Sequence, residues 1–251
     1  MRRIVVVRSG GLGDTILWLP ALDALRRRHP RALIQLVADP RFGRLAGGIV
    51  DETISVHRSL FAGLYGVPSV ELDAWLAGVD LLVSWTSSPA AVGVHQIHQS
   101  PTPPAGVHAA DWLLSSIEPV PVDRPATPRL EAPPGEPLPP DAVFLHPGAG
   151  ASWKRWPAPH FAQVAARLRE QGRQPMLIEG PADEGAVAQI ESLIRLPVIR
   201  REVGELAGLI AQAPLLVGND SGVTHLAAAL DIPTVALFGP TDPARWAPRG
   251  R

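Results

Sequence analysis

Between positions 119 and 140, nine of 22 residues are proline, more than a helix or a central strand can carry. The stretch reads as an extended, fairly stiff connector, and it divides the 251 residues into two halves. Each half shows short apolar runs alternating with helical periodicity. In the first, strands are predicted at 4–7, 33–37 and 81–84, with helices at 15–28 and 72–77. In the second, strands are predicted at 142–145, 175–179, 215–217 and 234–238, with helices at 161–171, 182–194, 203–211 and from Gly222 to Leu230. This pattern predicts an α/β protein of two Rossmann-like, doubly wound lobes facing a cleft, with domains at 1–118 and 141–251 and a linker at 119–140.

Composition narrows the function. A net charge of −1 gives no electrostatic reason to expect nucleic acid. With no cysteine, disulfides and thiolate zinc sites are excluded. His95, His98 and His108 lack companion carboxylates at ligand spacing, so no metal site is expected. The start, Met1-Arg2-Arg3-Ile4-Val5-Val6-Val7, has the basic opening of a signal peptide, but Arg8 ends the apolar run far short of a signal core or a membrane span. A cytoplasmic protein is expected, touching a membrane peripherally at most.

Chemistry-bearing residues gather where predicted strands end, the edge at which open α/β sheets hold ligands. After the first strand comes Arg8-Ser9-Gly10-Gly11-Leu12-Gly13-Asp14. Its glycines let backbone lie against a ligand, but the dinucleotide spacing is absent. Asp14 is either a helix cap or a carboxylate that removes a proton. After the 142–145 strand comes His146-Pro147-Gly148-Ala149-Gly150-Ala151-Ser152-Trp153-Lys154-Arg155-Trp156. Gly148, Gly150 and Ser152 suit a phosphate-cradling turn with Lys154 and Arg155 as cations, although the Walker ending is missing.

Glu179, closing the 175–179 strand, is placed to accept two hydrogen bonds from a ribose diol. Asp183 and Glu184 read as the acidic first turn of the next helix. The fourth place is Gly218-Asn219-Asp220-Ser221-Gly222-Val223-Thr224-His225. Free amides at a helix start, a serine and a histidine one turn inside make an anion site. Capping by Asp220 or Ser221 and a satisfied helix histidine are the alternative there.

Together these motifs resemble glycosyltransferase family 9, the heptosyltransferases of the bacterial lipopolysaccharide core. The likeness rests on the Arg8 to Asp14 loop with Leu19-Pro20-Ala21-Leu22, on His146-Pro147-Gly148-Ala149 with Trp153-Lys154-Arg155-Trp156, and on Gly218 to Ala229 with Phe238-Gly239-Pro240-Thr241-Asp242-Pro243. The resemblance implies GT-B architecture with a shortened N-terminal lobe. It also implies an inverting glycosyltransferase without metal or cofactor, and a nucleotide-sugar donor that is ADP-heptose by family default. The acceptor is expected to be a glycan or a lipid-linked glycan.

By motif position, Asp14 is the expected general base, beside the acceptor-side loop of Ser9, Gly10, Gly11 and Gly13. Lys154 and Ser152 are expected on the donor diphosphate, with Lys154 counted as catalytic. Gly148 lies in the same turn, Glu179 is expected on ribose, and Asp220, Ser221, Gly222 and His225 are expected around the donor sugar and phosphate. An accessory protein that binds nucleotide sugars without transferring them is the alternative.

Overall fold

The computed structural model describes residues 2–250. They form two compact units, the first ending at Ala126 and the second beginning at Thr127. In the first unit the chain runs through strand β1 (Arg3–Val7), helix α1 (Leu12–Arg28), β2 (Leu33–Ala38), α2 (Pro40–Gly43), β3 (Glu52–Ser55), α3 (Val70–Leu76), β4 (Leu81–Ser84), β5 (Gln96–His98) and α4 (Ala109–Leu114). The strands form one sheet in the order β3-β2-β1-β4-β5, with every pair parallel. Ile4, Val5, Val6 and Val7 on β1 are all buried, as a central parallel strand covered on both faces requires. One face packs Val5, Val7 and Val37 against Phe61, Leu64 and α3 residues Leu72 and Leu76. Elsewhere in the unit α1 packs on α4, and Trp18 meets Trp85 edge to face at 5.8 Å.

The second unit repeats the plan with β6 (Ala142–His146), α5 (Ala158–Glu170), β7 (Gln174–Ile178), α6 (Glu184–Glu191), β8 (Val198–Ile199), α7 (Val203–Ile210), β9 (Leu215–Asn219), α8 (Gly222–Ala229), β10 (Thr234–Leu237) and α9 (Pro243–Trp246). Its order is β10-β9-β6-β7-β8, again all parallel. Numbered from its own first strand, this is the order found in the first unit. Val143 and Leu145 pack with Phe161 and Ala165 of α5 and with Val187 and Ile190 of α6.

Several boundaries differ from expectation, for identifiable reasons. Helix α1 begins at Leu12 rather than 15, because Gly11 is its cap residue and Asp14 Oδ2 accepts the Gly11 N–H at 3.0 Å. His146 belongs to β6, and Gly218 and Asn219 belong to β9 instead of a loop. The helix expected at 182–194 narrows to Glu184–Glu191, since Asp183 takes the cap position. The edge strands β3, β5 and β8 and the short helices α2, α4 and α9 are additions to the sequence reading.

The proline-rich stretch contains no strand or helix. Its later part is fastened to the second unit. Leu130 N–H donates to Ala229 O at 2.9 Å, and Gly135 lies so close to Gly208 that a β-carbon there would stand 2.1 Å from the Gly208 carbonyl oxygen. Among the described residues, no helix is long and apolar enough to cross a membrane.

Candidate active site

In both sheets the direction of winding reverses beside the first strand, between β1 and β4 and between β6 and β9. Ligands of doubly wound sheets bind outside the carboxyl ends of the strands at this point. In the second unit, the side chains there are His146 at the end of β6 and Asn219 at the end of β9, both buried. Asn219 ties the following loop down: its Nδ2 donates to Pro147 O at 2.8 Å and to Gly148 O at 3.4 Å, while its Oδ1 accepts the Trp156 N–H at 3.0 Å.

Lys154 closes a single 3-10 turn, Ser152–Lys154, and its Nζ donates to Asp220 Oδ2 at 2.7 Å. The same oxygen accepts from Thr241 Oγ1 at 2.8 Å. Asp220 is almost fully buried, whereas a quarter of the Lys154 side chain reaches solvent. The lysine is thus anchored by Asp220 with part of its side chain exposed. Beside it, Ser221 caps α8 by accepting the Thr224 N–H, and the first amides of that helix, at Gly222 and Val223, have no partner within the helix. His225 is buried one turn further in, with its N–H on Ser221 O. Gly148, Lys154, Asp220, Ser221, Gly222 and His225 therefore lie on the elements that meet at this switch point.

Other expectations are corrected by the geometry. Gly148 is not held open for a ligand, because the Asp183 carboxylate fills the space where a β-carbon would stand. Gly218 likewise makes room for the Thr224 hydroxyl and for His146. Asp183 does more than supply charge to a helix start. Its Oδ2 lies 3.1 Å from His146 Nε2 and accepts the Gly180 N–H at 2.9 Å. Burial pushes this carboxyl up, but the hydrogen bond and charge of His146, the Gly180 amide and the charge of Arg155 outweigh it and hold the group below the ordinary carboxylate range.

Glu179 stands just past β7 as expected. Both its oxygens are engaged by Arg200, at 2.6 and 2.9 Å, which raises the Arg200 guanidinium. Ser152 is exposed and lines a cavity of about 260 Å³ together with Arg155, Trp156 and Gln189.

Asp14 and the Ser9 to Gly13 loop lie in the first unit, at the end of β1. Arg8 Nη2 donates to Asp14 Oδ1 at 2.8 Å, so each carboxylate oxygen has one fixed donor. The Arg8 side chain is 9% exposed and that of Asp14 38%. Burial lowers the Arg8 guanidinium, and Asp14 and Tyr65 oppose that shift. Gly10 has φ +151°, and a β-carbon on it would stand 2.8 Å from the Asp14 β-carbon. Asp14 is therefore both a capping side chain and a half-exposed carboxylate at the ligand edge of its sheet.

Sequence reasoning gave no separate role to His146, Asn219, Thr224, Thr241 or Arg200. His146, Asn219, Thr224 and Thr241 stood inside quoted motifs, and for Asn219 and Thr224 polarity within an otherwise apolar strand-to-helix crossing was the available signal. For Arg200 there was none.

Two lobes of parallel sheet, each with polar side chains collected where its winding reverses, have the architecture of the GT-B glycosyltransferases. The chain belongs to glycosyltransferase family 9. The family model described as "Glycosyltransferase family 9 (heptosyltransferase)" matches residues 126–251. Lipopolysaccharide heptosyltransferase 1 of Pseudomonas aeruginosa is 34% identical over 99% of this chain and 82% of its own length. Among solved structures, a family 9 glycosyl transferase from Veillonella parvula superposes with a TM-score of 0.79 at 24% identity, covering 98% of this chain and 84% of that one. The E. coli ADP-heptose lps heptosyltransferase II gives 0.79 at 22% identity, covering all of this chain and 88% of that one.

Proposed function

We propose that this glycosyltransferase moves heptose from ADP-heptose to a lipopolysaccharide-core acceptor, inverting the anomeric carbon and using no metal or other cofactor. The observation that carries the donor half is the Lys154 ammonium, anchored by Asp220 beside the amide-rich start of α8. As the bond from the anomeric carbon to the diphosphate breaks, its electron pair leaves with ADP. Lys154 and the helix terminus meet that growing negative charge. The choice of sugar and nucleotide draws on the names of the relatives, lipopolysaccharide heptosyltransferase 1 and ADP-heptose lps heptosyltransferase II.

In this reading residues 1–118 form the acceptor lobe and 141–251 the donor lobe, joined by 119–140. Asp14 takes the proton of the acceptor hydroxyl as its oxygen attacks, and Ser9, Gly10, Gly11 and Gly13 shape the loop beside it. Ser152 adds a hydroxyl to the diphosphate, Gly148 lets its loop close, and Gly222 and His225 border the sugar. Glu179 receives the ribose diol, held in place by Arg200. The acceptor is lipid-linked, so the enzyme works on the cytoplasmic side with peripheral contact to the inner membrane.

Titrating ADP, ADP-heptose, UDP and GDP against thermal unfolding tests the donor, since a ligand at 100 times its dissociation constant adds about 2.7 kcal/mol. ADP and ADP-heptose are expected to stabilise, and a flat response to both overturns the donor assignment. Following ADP release with a core acceptor then tests the chemistry. Asp14→Ala should lose roughly a hundredfold or more in turnover while keeping donor affinity. Tight donor binding with no release by the unmodified chain would favour the accessory binder.

A further inference from the structure

His146 is 3% exposed, and the groups around it are buried as well: Asp183 at 6%, Ser221 at 7%, Thr224 and Asn219 at 0%. With side chains this buried, their hydrogen bonds are taken to be made within the cluster. The Asn219 carbonyl oxygen only accepts, so Thr224 Oγ1, 2.6 Å away, donates its single proton there. The 3.0 Å contact between Thr224 Oγ1 and Ser221 Oγ then uses the Ser221 proton. Ser221 has none left for His146 Nδ1, 2.9 Å away, and so Nδ1 is the donor. On the other side of the ring, Nε2 faces Asp183 Oδ2 at 3.1 Å. That oxygen already accepts the Gly180 N–H, as a carboxylate does.

We propose that His146 carries a proton on both ring nitrogens, as a buried imidazolium paired with Asp183 and directed through Ser221 at the start of α8. Giving the ring a single proton leaves one buried contact with two lone pairs opposed, or sets a neutral carboxyl against Gly180. Other charged or titratable groups at the cluster are Arg155, which acts on Asp183, Asp220, which precedes Ser221 and pairs with Lys154, and the buried His225, whose N–H lies on Ser221 O.

The consequence for ligand binding rests on the donor-site reading above. His146 is then a positioning residue. It fixes the Ser221 hydroxyl, which caps the helix, so that this hydroxyl is unavailable to donate to phosphate. It also keeps positive charge one side chain behind the amides of Gly222 and Val223.

Nitrogen-15 NMR of the histidine rings in the full chain decides the proton placement at pH 7.5. The His146 signals are assigned by His146→Gln, or by through-bond correlation in the unmodified chain if that variant does not fold. Two protonated nitrogens are expected for His146. A pyridine-type signal from Nδ1 overturns the proposal. ADP titration then reads the positioning role: His146→Gln, which retains a neutral donor, should bind ADP about tenfold more weakly. Equal affinity overturns the positioning role. If the unmodified chain binds no ADP, the donor-site reading falls while the ring spectrum still judges the proton placement.

Discussion

A β-carbon on Gly148 would stand 2.0 Å from Asp183 Oδ1 and 2.1 Å from its carboxyl carbon. The residue is small because a buried side chain from 35 positions further along the chain occupies its place. Gly148→Ala should therefore push Asp183 off His146, with destabilisation of about 1–3 kcal/mol from overpacking. Urea denaturation measures it. The same substitution in an Asp183→Ala background should cost clearly less, because the two sites share one clash; simple additivity would argue against this account. Residues whose role depends on a partner a few positions away in the chain, such as Asp14 with Gly11, were open to sequence reasoning. His146, Asp183 and Ser221 come together across three strand ends, and no periodicity records that.

Short elements depend on their caps, and α2 shows how. Asp39 accepts the Arg41 N–H at 2.9 Å to cap the helix, and Arg41 Nη2 returns to Asp39 Oδ2 at 2.7 Å. The Arg41 side-chain hydrogen bond, working against burial, holds the Asp39 carboxyl at about 2 against an ordinary value of 3.8. A carboxyl depressed on folding contributes its full stability above its unfolded value and loses it as pH falls through the folded one. Asp39→Asn keeps a capping oxygen but not the charge. It should destabilise by about 1 kcal/mol at neutral pH, since Arg41 is largely exposed. That difference, read from melting temperatures, should shrink as pH falls from about 4 toward 2; a gap that stays constant would remove the charge from the explanation.

At this scale the central strands were legible, because Ile4 to Val7 and Val143 to Leu145 are unbroken apolar runs of the kind a doubly covered parallel sheet requires. Edge strands Glu52–Ser55 and Gln96–His98 were not, since pairing on one side tolerates polar and short sequences. Helix α4 has six residues, too few to display a period.

For the whole molecule, the legible part was the division into two α/β halves. The identity of their strand order was not, because sequence gives the succession of strands and leaves their neighbours open. Each unit has its own switch point, and donor and acceptor chemistry are assigned to separate units. Hydrogen exchange with ADP present should accordingly slow amides in 147–156 and 219–225 and leave 9–14 unchanged. Equal slowing in the 9–14 loop would end the separate assignment of donor and acceptor.

The matching strand orders have a further consequence, for how such a chain can be inherited and rebuilt. Among the described residues every strand ladder closes within its own sheet, and none spans the junction between Ala126 and Thr127. A recombination event at that junction would trade one complete half for another without leaving a strand unpaired. Hybrids joined there, with a first half from one relative and a second half from another, are a direct way to separate the ancestry of acceptor choice from that of donor choice.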